Sequence, residues 1–139
     1  MEHKSVKSER GTTYYWINRN VDKNARCIVF THGLTANHMM FEKQVEYFSK
    51  KYSVITWDVP LHGESRPYTD FSYENTAIEL KAILYAEKIK HVELMAKSFT
   101  DKMLRNSMAK SVSKIKYAYD IMLKMLEPLS KNDIVEQMV

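Results

Sequence analysis

At 139 residues, 45% apolar and 27% charged, the chain has the length and composition of one globular domain with a real core. Its net charge of +4 is spread along the sequence, which argues against a nucleic-acid-binding surface. Three glycines and three prolines exclude a low-complexity chain, and the lone Cys27 excludes an internal disulfide and fits a reducing compartment.

Residues 4–9 have weak strand character. Arg10-Gly11 makes a turn, and Thr12-Thr13-Tyr14-Tyr15-Trp16-Ile17 is rich in β-branched and aromatic side chains, so an N-terminal hairpin is expected. Cys27 to Thr31 is a short apolar run of the kind buried on both faces of a sheet. Asn37 is placed to cap a following helix, with Phe41, Val45 and Phe48 on one face. Ser53 to Trp57 is a second buried strand. The strand ends at Asp58, and the loop after it, residues 59–67, contains two prolines and a glycine and cannot be helical. Ser72 is the expected cap of a helix carrying Tyr73, Ala77, Leu80 and Leu84, and Val92 to Ala96 is a third buried strand. Beyond residue 100, apolar residues at Leu104, Met108, Val112, Ile115, Tyr119, Met122 and Leu126 have helical spacing. They predict a long amphipathic helix to Pro128, then a short helix from Ser130. The lysines of that helix are read as a solvated face rather than a membrane-surface element.

Alternation of buried strands with helices predicts an α/β fold of three layers, α/β/α, with a mostly parallel sheet of about five strands and an N-terminal hairpin. Residues 1–139 are read as one domain: an α/β core over 1–100 and a helical segment over 101–139. In such sheets, function collects beyond the carboxyl ends of the strands. Those ends carry His32-Gly33, Asp58 with His62-Gly63, and Ser98. The histidines lack ligand spacing, and no phosphate-binding glycine loop is present, so neither metal nor cofactor is expected. With no apolar run near the ~20 residues of a spanning helix and no leader-like opening, a cytoplasmic location is expected.

Three stretches in order carry a resemblance: H-G-L-T-A-N at 32–37, D-V-P-L-H-G-E-S at 58–65, and L-M-A-K-S-F-T at 94–100. Residues 12–98 resemble the N-terminal half of an α/β-hydrolase of the AB hydrolase-1 type. The resemblance implies a serine hydrolase acting on a small acyl or ester substrate. Ser98 takes the nucleophile position. The backbone N–H groups of Leu34 and Phe99 take the oxyanion hole, supported by His32 and Gly33. Asp58, His62, Gly63 and Ser65 match a loop that is structural in the family, which weighs against an Asp58–His62 catalytic pair. His38 and His91 are expected as surface histidines.

The sequence departs from the family in two ways. Ala96 and Thr100 replace the glycines that flank the nucleophile, and no histidine follows His91, although the family order is serine, acid, histidine. The triad is therefore incomplete, and weak or absent activity is expected. Lid-like helical sequence follows Ser98 so closely that the elbow helix and sixth strand are expected to be missing, as after truncation or internal deletion. Val92–Ala96 would then be an exposed sheet edge. The alternative is a non-catalytic binding protein, dimeric through that edge.

Overall fold

The computed structural model describes residues 1–33, 35–90, 92–96 and 115–117. Six strands form one sheet: β1 (Glu2–Ser8), β2 (Gly11–Asn18), β3 (Cys27–Thr31), β4 (Ser53–Trp57), β5 (Val92–Ala96) and β6 (Ile115–Tyr117), in the order β1-β2-β4-β3-β5-β6. The hairpin β1–β2 is antiparallel, and β2 joins β4 antiparallel. Strands β4, β3, β5 and β6 are mutually parallel. Two helices are described, α1 (Glu42–Phe48) and α2 (Tyr73–Ala86).

The layering follows from the period-2 alternation of strand side chains. Along β3, Cys27 and Val29 enter a cluster with Ile55, Trp57 and the α2 residues Ala77, Leu80, Ile83 and Leu84. Ile28 and Phe30 point to the other face and meet Phe41, Phe48 and Val54 on the α1 side. The mostly apolar texture of β3 and β4 is thus the mark of strands covered on both faces. Both expected caps form. The Asn37 side chain accepts from the Met39 N–H at the head of a 3-10 turn (His38–Phe41) leading into α1, and the Ser72 hydroxyl accepts from the Asn75 N–H at the head of α2.

Three expectations are corrected. The helical spacing places Ile115–Tyr117 in a long helix, but these residues are a strand, with Val92↔Ile115 and Leu94↔Tyr117 in parallel register. Helical spacing misleads here because a three-residue strand is too short to show a period of its own. It follows that β5 is not an edge strand, and a sixth strand is not missing. Residues 97–114 separate β5 from β6, enough for a parallel crossover, which takes a dozen or more residues. The rest of the expected helical segment at 101–139 lies outside the described residues.

The hairpin is fixed to α2 by two buried carboxylates. Glu79 accepts from the Ser8 hydroxyl at 2.7 Å and the Tyr68 hydroxyl at 2.9 Å. Glu87 accepts from the Tyr15 hydroxyl at 2.6 Å and the Lys4 ammonium at 3.1 Å, and also pairs with Arg19. Burial alone would raise the Glu87 pKa; the hydrogen bonds from Tyr15 and Lys4 and the charges of Lys4 and Arg19 outweigh it and hold it below the ordinary 4.5. His32 is shifted down from 6.5, chiefly by burial. In both cases the unfolded chain binds the proton more readily, so both groups contribute stability that falls with pH. The His32 contribution is lost as pH falls below 6.5 towards its folded pKa, and the Glu87 contribution as pH falls below 4.5 towards its own. Urea melts across pH 3–7 should therefore show two acid steps. Glu87→Gln should flatten the lower step and leave the upper one. An unchanged lower step would remove Glu87 from the account.

Candidate active site

The parallel register brings the ends of three strands to one level: Thr31 lies opposite both Trp57 and Ala96. His32-Gly33, Asp58 and the last residue of β5, Ala96, therefore stand at one edge of the sheet, with β3 in the middle.

His32 is fully buried. Its Nε2 accepts from the Val59 N–H at 3.0 Å, which leaves the ring proton on Nδ1, donated to the Gly33 carbonyl at 2.7 Å. One neutral imidazole thus ties the segment after β3 to the loop after β4. Its Nε2 also lies 4.0 Å from the Asp58 Oδ1, but this is not an ion pair, because burial keeps the ring uncharged.

Asp58 is likewise fully buried. Its Oδ1 accepts from both the backbone N–H and the ring Nδ1 of His38, each at 2.8 Å, and its Oδ2 accepts from the Glu64 N–H at 2.8 Å. The carboxylate is thus held in place by three donors. Ser65 completes the clamp: its hydroxyl donates to the Asp58 carbonyl at 2.7 Å and accepts from the Tyr14 N–H at 2.9 Å, at the end of the β2–β4 ladder. Gly63 has φ +47°, and a Cβ there would stand 1.9 Å from the Asp58 Oδ2. Glycine is required at 63 on both grounds. His62 faces the Pro60 carbonyl through Nδ1 at 3.0 Å, so it is not the partner of Asp58.

His38 departs from the expectation of a bland surface histidine. Its ring stacks on Trp16 at 3.4 Å between centroids, and His3 stacks on the same indole at 4.7 Å. No local signal marks it, since Asp58 lies twenty residues away. The His38–Asp58 pair has the form of an oriented base, but it lies towards β2 rather than towards β5. Asp58 follows β4, two strand spacings (~10 Å) from β5, and Trp16 belongs to β2 on the far side of β4. The stack carries the imidazole away from β5.

A small pocket of about 10 Å³ lies against Gly33, with His32, Val59, Phe71, Tyr73 and Thr76 around it and His62 at its side. Cys27 offers no alternative nucleophile: burial pushes its thiol up to about 12, and the thiolate is the reactive form. Among the described residues, no group of His, Cys, Asp or Glu could hold a metal ion, and no helix is long and apolar enough to cross a membrane. Leu34, Ser98 and Phe99 lie outside the described residues.

No family model matches the chain. Two curated proteins do. The AB hydrolase superfamily protein YisY of Bacillus subtilis (strain 168) is 33% identical over 73 residues, which is 51% of this chain and 27% of that protein. The 3-oxoadipate enol-lactonase 1 of Acinetobacter baylyi is 33% identical over 70 residues, 50% of this chain and 26% of that protein. Among solved structures, the Cif epoxide hydrolase from Acinetobacter nosocomialis superposes with a TM-score of 0.70 at 24% identity, over 83% of this chain and 36% of that one. The enol-lactonase from Burkholderia xenovorans LB400 gives 0.71 at 20%, over 81% and 44%. The chain carries an incomplete α/β-hydrolase fold, and its relatives are α/β-hydrolases. It spans about a quarter of the length of the two curated proteins that it matches.

Proposed function

We propose that this chain is of serine-hydrolase type, with Ser98 as nucleophile towards small acyl esters and the backbone N–H groups of Leu34 and Phe99 as the oxyanion hole. The observation that carries this reading is the alignment of the ends of β4, β3 and β5 on one edge of the sheet, Thr31 lying level with both Trp57 and Ala96. That alignment brings His32-Gly33 beside the strand that leads into Ser98. Lactones are the first esters to try, because two relatives bear the name enol-lactonase.

Among the described residues, the histidine held by a buried carboxylate, His38, is stacked on β2 and so directed away from β5. Without that base, the step expected of Ser98 is slow acylation: Oγ bonds to the acyl carbon, the leaving group departs, and the hydroxyl proton passes to solvent. Oxyanion stabilisation and binding alone leave about 10³-fold over water when a triad member is lost.

A fluorophosphonate probe, with the adduct located by mass spectrometry, tests the reading. Slow labelling at Ser98, abolished in Ser98→Ala, is the expected result. A folded protein that forms no adduct there would overturn it in favour of a non-catalytic binding protein. That alternative has lost its main structural support, since β6 covers β5.

A further inference from the structure

We propose that the Nε2 of His38 is a second acyl-accepting centre, independent of Ser98, open to acyl donors whose leaving group departs as a stable anion: aryl esters and mixed anhydrides. An ionised carboxylate only accepts hydrogen bonds, so the Nδ1 that lies 2.8 Å from the Asp58 Oδ1 carries the ring proton. In the neutral ring the lone pair is then on Nε2. Trp16 covers a face of the imidazole, and Asp58 takes its Nδ1 edge. Nε2 has no hydrogen-bond partner among the described residues and is not a buried atom, and 21% of the side chain is exposed. The free edge of the ring therefore presents the nucleophilic atom to solvent.

The ring is also held in place. The backbone N–H of His38 and its Nδ1 bond the same Oδ1, each at 2.8 Å, and Asp58 is itself fixed at Oδ2 by the Glu64 N–H. The Trp16 indole lies 3.4 Å away between centroids and 15° from parallel. A ring so oriented reacts with little reorganisation. When Nε2 bonds to an acyl carbon, the leaving group departs with the bonding pair and the ring becomes a cation. That charge forms beside a fully buried carboxylate, which stabilises an imidazolium as it forms. Water then attacks the acyl carbon, the acyl–Nε2 bond breaks, the acid is released, and the ring passes the proton it gains to solvent. Nε2 brings no proton for the leaving group, so the donors are those that lose a stable anion. His3 is the natural comparison. It stacks on the same indole at 4.7 Å and pairs with Glu64 at 3.1 Å, but the two side chains are 46% and 51% exposed. An exposed pair of this kind contributes little.

Diethyl pyrocarbonate, an anhydride that acylates imidazole, tests the centre on the unmodified full chain at neutral pH, with adducts located by mass spectrometry at short times. Accessibility alone would put His3 first, since its side chain is more than twice as exposed as that of His38. The opposite order is expected: His38 should react about 10-fold faster than His3, the difference between a hydrogen-bonded charge inside the protein and an exposed pair. His3 reacting as fast as His38, or faster, overturns the inference. p-Nitrophenyl acetate then tests turnover in a Ser98→Ala parent, where the serine takes no part. His38→Asn keeps a donor for Asp58 at the Nδ1 position and removes Nε2. In that parent it should abolish most of the nitrophenolate release above buffer and leave the urea midpoint unchanged. Release that persists at the parent's level overturns the transfer step, and neither arm bears on the reading of Ser98.

Discussion

Gly63→Ala should destabilise the protein by about 3 kcal/mol or more, the combined cost of a strained left-handed alanine and a displaced buried carboxylate. The added methyl would lie 1.9 Å from the Asp58 Oδ2 and 2.3 Å from Cγ, so the carboxylate cannot keep its place. When it moves, the N–H groups of Glu64 and His38 and the His38 ring lose their acceptor together. A buried donor left without a partner costs about 1–3 kcal/mol. In urea, where a small domain loses about 1–3 kcal/mol per molar, the midpoint should fall by at least about 1 M. Gly63→Asn separates the two causes: asparagine accepts a left-handed backbone but brings the same Cβ. If it proves as harmful as alanine, the clash dominates. A Gly63→Ala midpoint within 0.3 M of wild type, roughly half a kcal/mol on the same slope, would contradict the geometry described for the loop.

Trp57→Ala should cost about 3–5 kcal/mol, the usual range for emptying a buried tryptophan site. The indole is fully buried at the centre of the larger core cluster, and its N–H donates to the Thr31 hydroxyl at 2.8 Å. That bond joins the last residues of β3 and β4, immediately before His32 and Asp58. The loss should therefore loosen the site frame as well as the core. Trp57→Phe keeps most of the volume and gives up the hydrogen bond, so about 1 kcal/mol is expected from that bond. Thermal or urea melts of the two variants check both numbers. Equal losses would mean that the hydrogen bond, and not the packing, carries the effect.

The loop that Gly63 and Trp57 support was legible in the sequence as a set of residue types, but not as a set of contacts. Asp58, Gly63 and Ser65 stood out because D-x-P-x-H-G-x-S is a recognisable spacing, and all three prove to be tied to one another. His38 did not stand out, because its partner Asp58 is reached only after the chain has passed through α1 and back into the sheet. The tempting neighbour of Asp58 in sequence, His62, turns instead to its own loop at the Pro60 carbonyl. Glu79 and Glu87 were invisible for a related reason. On a helix that reads as amphipathic, a glutamate is expected in water. These two are buried because the hairpin presents hydroxyls and cations to them.

By itself the sequence determined the strands β1 to β5, the helices α1 and α2, the capping residues Asn37 (of the 3-10 turn that leads into α1) and Ser72 (of α2), and the α/β class. These depend on local periodicity and capping chemistry, which a single segment carries within itself. The tertiary structure alone decided that Ile115–Tyr117 is a strand, since three residues have no period and are extended only because β5 offers a ladder to join. It also decided which histidine meets Asp58 and which face of each strand meets α1 or α2. Those choices are made between residues distant in the chain, where sheet order and register, not local preference, set who is within reach.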